Sequence, residues 1–338
     1  MKKISVIIPC YNVEKYIDRC VDSLLKQTIG LESLELIFVN DASTDHTLDK
    51  LLAYEKQYKD SIMVIHCEQN GRQGTARNIG MQYASCDYIG FVDSDDWIEY
   101  TMYEKLYEKA VSLDVDVVYC RQDQVYSSGK TESSPECGQD RHFVIKTEQD
   151  RKEFAIAAEK EYGVSRKIYK KSVIFDNGVF FPEGLVYEDS YWWGILKFYI
   201  DSAYLLEEVL YHYRINMSST TKSQDYVAHL DRLVIEEMKL LEYKERGFYK
   251  SFRDIIDEEF IRQYWFNGLY IIFTRFDVFP LEIFKTMQNT VMKYVPNYAT
   301  LREYTGRHQL LIDMVDLDVS QEELNRLQKA YLADRRPY

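Results

Sequence analysis

ISVIIPCYNVEKYIDRCVDSLLKQT, running from Ile4 to Thr28, sets the fold class. Ile4 to Pro9 is short, apolar and β-branched, the pattern of a buried strand. After Tyr11 and Asn12 the apolar period changes: Val13, Ile17, Cys20, Val21, Leu24 and Leu25 recur at helical spacing. The unit then repeats. LELIFVN (Leu34–Asn40) precedes the helical DHTLDKLLAYEKQY, which Ser43 or Thr44 is placed to cap. IMVIHC (Ile62–Cys67) precedes GTARNIGMQYA, and YIGFVD (Tyr88–Asp93) precedes MYEKLYEKAVSL and the strand VDVVYC. This alternation predicts an α/β fold, a mostly parallel sheet with helices on both faces. In such a sheet the ligand crevice lies beyond the carboxyl ends of the strands.

The chain has 338 residues, enough for two domains, and at 46% hydrophobic and 29% charged it can bury a core. Its net charge of -13 argues against a dedicated nucleic-acid binder but not against an anion held at a locally basic or metal-loaded site. The 29 tyrosines read as half-buried packing. The six cysteines, at 10, 20, 67, 86, 120 and 137, form no CxxC pair, so a zinc ribbon is disfavoured and buried thiols are expected. The short apolar run after Met1 lacks the shape of a signal sequence. No stretch approaches 18 uninterrupted apolar residues, so a soluble, cytoplasmic protein is expected.

Polar residues collect after each strand: Pro9, Tyr11 and Asn12; Asn40, Asp41, Ser43 and Asp45; Asn70, Gly71, Gly74 and Arg77; Asp93, Asp95 and Asp96. NGRQGTARNIG lacks GxGxxG spacing, which disfavours a dinucleotide site, and SSGKT lacks the first glycine of a Walker loop. In DSDD, extended backbone would turn Asp93 and Asp95 to the same side. Two converging carboxylates suit Mn²⁺ or Mg²⁺, which takes carboxylate and phosphate oxygens together; a solvated turn opening the next helix is the alternative.

VIIPCYN, VNDASTDHT, NGRQGTARNIG, DSDD and YEDSYWW (Tyr187–Trp193) resemble, in order and spacing, the family 2 glycosyltransferases with the GT-A nucleotide-diphospho-sugar transferase fold. The resemblance covers about residues 3–220. It implies that Pro9, Tyr11 and Asp41 hold the uracil and ribose of a UDP-sugar, that Asn12 also binds the donor, and that Asn70 and Arg77 line the nucleotide site. It implies that Asp93, Ser94 and Asp95 form the DxD motif, with Asp95 the direct ligand of Mn²⁺ or Mg²⁺ and Asp93 beside it, and that Asp189 is the catalytic base of an inverting transfer, with Glu188 its understudy. YHYRINMSST (Tyr211–Thr220) resembles the family segment in which Arg214 and Ser219 reach the diphosphate, Ser218 being a weaker match; Tyr211, Tyr213 and Ile215 equally suit an edge strand. His212 is a candidate third metal ligand, with a structural histidine as the alternative. QxxRW and membrane spans, marks of the processive synthases of this family, are absent.

After about Asp225 the pattern becomes helical, with YVAHLDRLVIEEMKLLEYKERG ending at Gly247. The segment from Asp257 to Phe284 is dense in aromatics. Trp265, Phe266 and Tyr270 suit a helical core, a subunit interface or a peripheral membrane contact. The expected organisation is therefore a GT-A catalytic domain at 1–220 and a helical domain at 221–338, serving the acceptor side or oligomerisation. The expected reaction is non-processive transfer of one hexose or N-acetylhexosamine from a UDP-sugar to a hydroxyl of a glycan or lipid-linked glycan, in bacterial surface polysaccharide synthesis, at the inner face of the membrane. The alternatives are a non-catalytic sugar-nucleotide-binding scaffold and a sugar nucleotidyltransferase.

Overall fold

The computed structural model describes residues 1–133, 138–159, 161, 163–215 and 228–333. The chain divides into two compact units, Met1–Ser219 and Thr220–Tyr338. In the first, strands β1 (Ile4–Cys10), β2 (Leu34–Asp41), β3 (Ile62–Cys67) and β4 (Tyr88–Phe91) run parallel in the order β3-β2-β1-β4. Every residue of β1 and β2 is buried, as expected of strands covered on both faces.

The alternation stops there, and the sheet continues as a mixed one. β5 (Trp97–Ile98), β6 (Val117–Tyr126), β7 (Thr131–Ser133), β8 (Arg141–Val144), β9 (Lys167–Lys170) and β10 (Ser202–Ile215) complete it. β9 pairs antiparallel to both β4 and β6, and β6 is parallel to β10. The expectation of a mostly parallel sheet holds for β1–β4 and fails beyond them. Tyr211 to Ile215 belong to β10: β6 pairs along all five, β5 pairs antiparallel with Tyr211 and His212, and β8 pairs with Ser202–Leu205.

Helices α1 (Ile17–Leu25), α2 (Thr47–Gln57), α3 (Arg72–Tyr83), α4 (Met102–Leu113), α5 (Glu148–Ala158), α6 (Lys171–Phe175) and α7 (Glu188–Leu196) pack around the sheet. α1 buries Ile17, Cys20, Val21 and Leu24, one face at the expected spacing. α3 lies so close to β1 that a Cβ on Gly80 would meet Cγ2 of Ile7 at 2.4 Å. The expected cap of α2 is displaced: Asp45, not Ser43 or Thr44, accepts the Thr47 N–H at 3.0 Å. Cys10, Cys20, Cys86 and Cys120 are buried free thiols and Cys67 is half-buried; Cys137 lies outside the described residues.

The second unit is helical: α8 (Asp231–Glu245), α9 (Phe248–Phe260), a π-helical segment at Ile261–Asn267, α10 (Gly268–Arg275), α11 (Leu281–Tyr294), α12 (Gly306–Asp313) and α13 (Gln321–Ala333). Gly247 follows α8 at φ +80, a left-handed residue that suits glycine. Trp265 and Phe266 are core residues, and the Trp265 indole donates to the Leu311 carbonyl at 2.7 Å. Tyr270 is exposed. Among the described residues, no helix is long and apolar enough to cross a membrane.

Candidate active site

The chain after β4 does not continue extended. Asp96 N–H donates to the Asp93 carbonyl at 3.0 Å, closing a turn over Asp93–Asp96. A turn sends successive side chains to different partners, which corrects the expectation that Asp93 and Asp95 face together. Asp93 turns to Arg77: one carboxylate oxygen accepts from the guanidinium at 2.9 Å, and the other accepts from the Ser165 hydroxyl at 2.9 Å. Asp96 is 1% exposed and accepts from the Tyr211 hydroxyl at 2.6 Å and from the Arg214 N–H at 2.7 Å. Burial, with Asp95 and Asp93 adding repulsion, drives the Asp96 carboxyl well above the ordinary range.

Asp95 is left. Beyond its own N–H, its side chain has no hydrogen-bond partner among the described residues. Burial and then the charge of Asp93 raise its carboxyl from 3.8 to about 6, with Arg214 opposing. The cost of this crowded negative charge would be relieved by a divalent cation. Among the described residues no three His, Cys, Asp or Glu side chains are arranged as a metal cage. His212 does not fit as a third ligand. Its two ring nitrogens face Asp123 at 2.7 Å and Glu99 at 2.8 Å, and it stacks on Trp97.

Arg77 is the hub of the site, though not in the expected way. Its side chain is 3% exposed, so it meets the site from beneath rather than standing open to a nucleotide. It bridges Asp93 and Glu188, which lie 95 positions apart in sequence (188 − 93). Burial opposes its charge, and Asp93, Glu188 and Asp189 more than offset that, holding the guanidinium above its ordinary range. Glu188, 5% exposed, is turned inward to this pair, and burial raises its carboxyl. Asp189 is half-buried, with one oxygen accepting the Ser190 N–H at 2.8 Å. Adjacent acids at the start of α7 thus differ in burial: Glu188 is bonded to Arg77, and Asp189 is half-buried near it.

α7 holds them in place. Trp192 and Trp193 are buried and donate to the carbonyls of Val179 at 3.0 Å and Ala158 at 2.8 Å. Phe181 stacks on Trp192 at 4.7 Å. Tyr187 enters the helix at φ +69, a costly conformation for a tyrosine. Gly74 gives Glu188 room, since a Cβ there would meet the Pro182 carbonyl at 2.6 Å and Glu188 Cγ at 3.1 Å.

The other expected donor residues gather at the ends of β1–β3. Tyr11 is 49% exposed, its ring free to meet a flat ligand. Asn12, at φ +52, ties this loop to the next: it accepts the Thr44 N–H at 2.8 Å, and its own N–H donates to Ser43 at 3.0 Å. Asp41 is 3% exposed and accepts the Gly71 N–H at 2.8 Å; burial raises its carboxyl, and the Gly71 and Arg72 amides oppose the rise. Asn70 donates to the Asp41 carbonyl at 3.2 Å. Pro9 is buried within β1, and Ser94 is buried against the Cys10 thiol. Arg214 comes to the acidic turn, its Nε donating to the Asp95 carbonyl at 2.9 Å. Ser218 and Ser219 lie outside the described residues. Ser165 and Tyr211, which fix Asp93 and Asp96, carried no signal in the sequence beyond Tyr211's place in an alternating strand.

The model of Glycosyl transferase family 2 matches residues 5–173. Among curated proteins, the chain is 32% identical over 220 residues to the uncharacterized glycosyltransferase EpsJ of Bacillus subtilis, covering 65% of this chain and 63% of EpsJ. It is 30% identical over 276 residues to the uncharacterized glycosyltransferase YibD of Escherichia coli, covering 79% and 77%. The chain thus spans less than two thirds of EpsJ. Among solved structures, residues 1–349 of Staphylococcus aureus TarS in complex with UDP-GlcNAc match with a TM-score of 0.72 at 22% identity, covering 98% of this chain and 92% of that one. TarS is named a poly(ribitol-phosphate) beta-N-acetylglucosaminyltransferase.

Proposed function

The chain belongs to glycosyl transferase family 2 and is a glycosyltransferase with the GT-A fold, and from that premise we propose that it moves one hexose or N-acetylhexosamine from a UDP-sugar to a hydroxyl of a glycan acceptor, with inversion. The observation that carries the reading is the difference in burial between Glu188 and Asp189. One acid is spent on Arg77, and its neighbour stays half-exposed beside the same guanidinium that holds Asp93.

In this reading Asp189 takes the proton of the acceptor hydroxyl as that oxygen attacks the anomeric carbon, help worth about 10²–10⁴ in rate. Attack from the face opposite the nucleotide inverts the centre. Glu188 cannot deputise while Arg77 holds it. Tyr11 stacks the base, and Asp41 with Asn70 shapes the loop around it. Arg214 meets the diphosphate. Asp95 would hold Mn²⁺ or Mg²⁺, which when bound neutralises charge on the leaving diphosphate. The helical region at 221–338 would serve the acceptor or join subunits. The UDP-GlcNAc bound by TarS supports the donor class, and the poly(ribitol-phosphate) in its name supports a polymer acceptor.

A thermal-shift panel of nucleotide sugars with Mn²⁺ tests the donor, because binding to the native state raises stability by mass action. UDP-sugars should raise the melting temperature, and GDP-sugars should do so less. An equal shift by GDP-mannose would overturn the UDP assignment.

A further inference from the structure

We infer that Arg19 and Arg214 together clamp a phosphoryl group beside the acidic turn, so that Arg19 is a ligand-binding residue of this enzyme; the inference rests on the donor-site reading above only for where that phosphoryl group comes from. Arg19 lies in the first turn of α1 and Arg214 near the end of β10. They meet over one ring: the Arg19 guanidinium carbon is 3.4 Å from the Trp97 centroid and that of Arg214 is 5.0 Å from it. Arg214 also lies 5.1 Å from the Tyr16 ring.

Two like charges held over one indole repel, and burial together with Arg214 lowers the Arg19 guanidinium below its ordinary range. Surface arginines in a chain of net charge -13 ordinarily find carboxylates. Among the described residues neither guanidinium has a side-chain carboxylate within salt-bridge distance. The nearest group to Arg214 is the Asp95 carbonyl, at 2.9 Å from Nε. Stacking on an aromatic face fixes the plane of a guanidinium and leaves its N–H edge free for an incoming oxyanion. Two guanidiniums over one ring, one of them bonded to the Asp95 carbonyl, suit a phosphate, which offers several acceptor oxygens to planar donors. The phosphoryl group would be the donor's distal phosphate, or a phosphodiester of the acceptor polymer.

Calorimetry on the full chain tests this with three probes: UDP, inorganic pyrophosphate and a short polyol-phosphate oligomer. Arg19→Gln should weaken pyrophosphate binding about tenfold, the loss expected for one charge-assisted hydrogen bond. Its melting temperature should change little, since Arg19 stands at the surface and loses only its stacking on Trp97. Arg19→Lys, which keeps charge but loses the planar fork, should fall between. Parallel weakening of UDP assigns the clamp to the donor; weakening of the oligomer with UDP unchanged assigns it to the acceptor. If the wild-type protein binds pyrophosphate through Arg19 but not UDP, the UDP-sugar reading fails and the clamp stands. Affinities for all three probes within twofold of wild type in Arg19→Gln would overturn the inference.

Discussion

Each unit has a buried cation set between two carboxylates, Arg77 in the first and Lys239 in the second, and the two clusters are used differently. In the first unit, Arg77 joins Asp93 and Glu188, with side-chain exposures of 3%, 22% and 7%. In the second, Lys239 joins Glu236 at 2.6 Å and Glu259 at 2.9 Å, with exposures of 2%, 0% and 5%. Burial opposes the charge on Lys239, but its two partners hold the ammonium above its ordinary range. The Lys239 cluster is sealed among helices. The Arg77 cluster has one carboxylate edge open at the ends of the strands, with Asp95 and Asp189 beside it. The planar fork of Arg77 serves two acids on different elements, which an ammonium does less well. A sealed triad supplies structure alone; an open one also aims its neighbours.

The largest expected effect is shared by both clusters. Lys239→Met leaves two buried carboxylates uncompensated, Arg77→Met leaves one buried and one half-buried, and each should cost about 3–5 kcal/mol of stability. Urea unfolding measures this; a loss under 1 kcal/mol at either site would remove the ion pairs from the account. The clusters should then part. Replacing all three charges of the Lys239 cluster with apolar residues of similar volume should be neutral or stabilising by about 1–4 kcal/mol, with turnover retained. The same treatment of Arg77, Asp93 and Glu188 should abolish turnover even where the protein still folds. Retained activity there would make the two clusters equivalent.

A smaller effect concerns Asp95. Its carboxyl titrates at about 6 in the metal-free fold against 3.8 in the unfolded chain. Between those values the native state binds more protons than the unfolded one, so this group's contribution to stability falls as pH rises through the window and stays low above it. Asp95→Asn should therefore stabilise the metal-free protein at pH 7.5 by about 1–2 kcal/mol after solvent screening. The gain should shrink towards pH 4, and the stabilisation that Mn²⁺ gives wild type should be missing. A variant melting below wild type at pH 7.5 in chelator would contradict the crowding argument. An effect of similar size and opposite sign is expected of Gly74→Ala. The added methyl should press on Glu188 and the Pro182 carbonyl and cost about 1–3 kcal/mol, as overpacking does. A neutral result by thermal melting would show that this contact can yield.

The first four strands and their helices were legible because each strand is a compact apolar run followed at once by a helical period. β9 was not, being four residues with lysine at both ends, and β10 was read only at its last five residues. Their pairing depends on long-range partners that local patterning does not encode. The site divided the same way. The residue types at the strand ends were legible; the turn at Asp93–Asp96 and the inward course of Arg77 were not, because both are set by Ser165, Tyr211 and Glu188, all distant in sequence. The separation of Glu188 from Asp189 follows from helix geometry, but which of them turns inward depended on where Arg77 lay.

The claim that Asp189 is the base is tested most directly by Asp189→Asn, which keeps shape and removes basicity. Single-turnover transfer should fall about 10²–10⁴-fold, while UDP-sugar affinity and melting temperature hold. Turnover within tenfold of wild type, with the inverted product anomer seen by NMR, would contradict it.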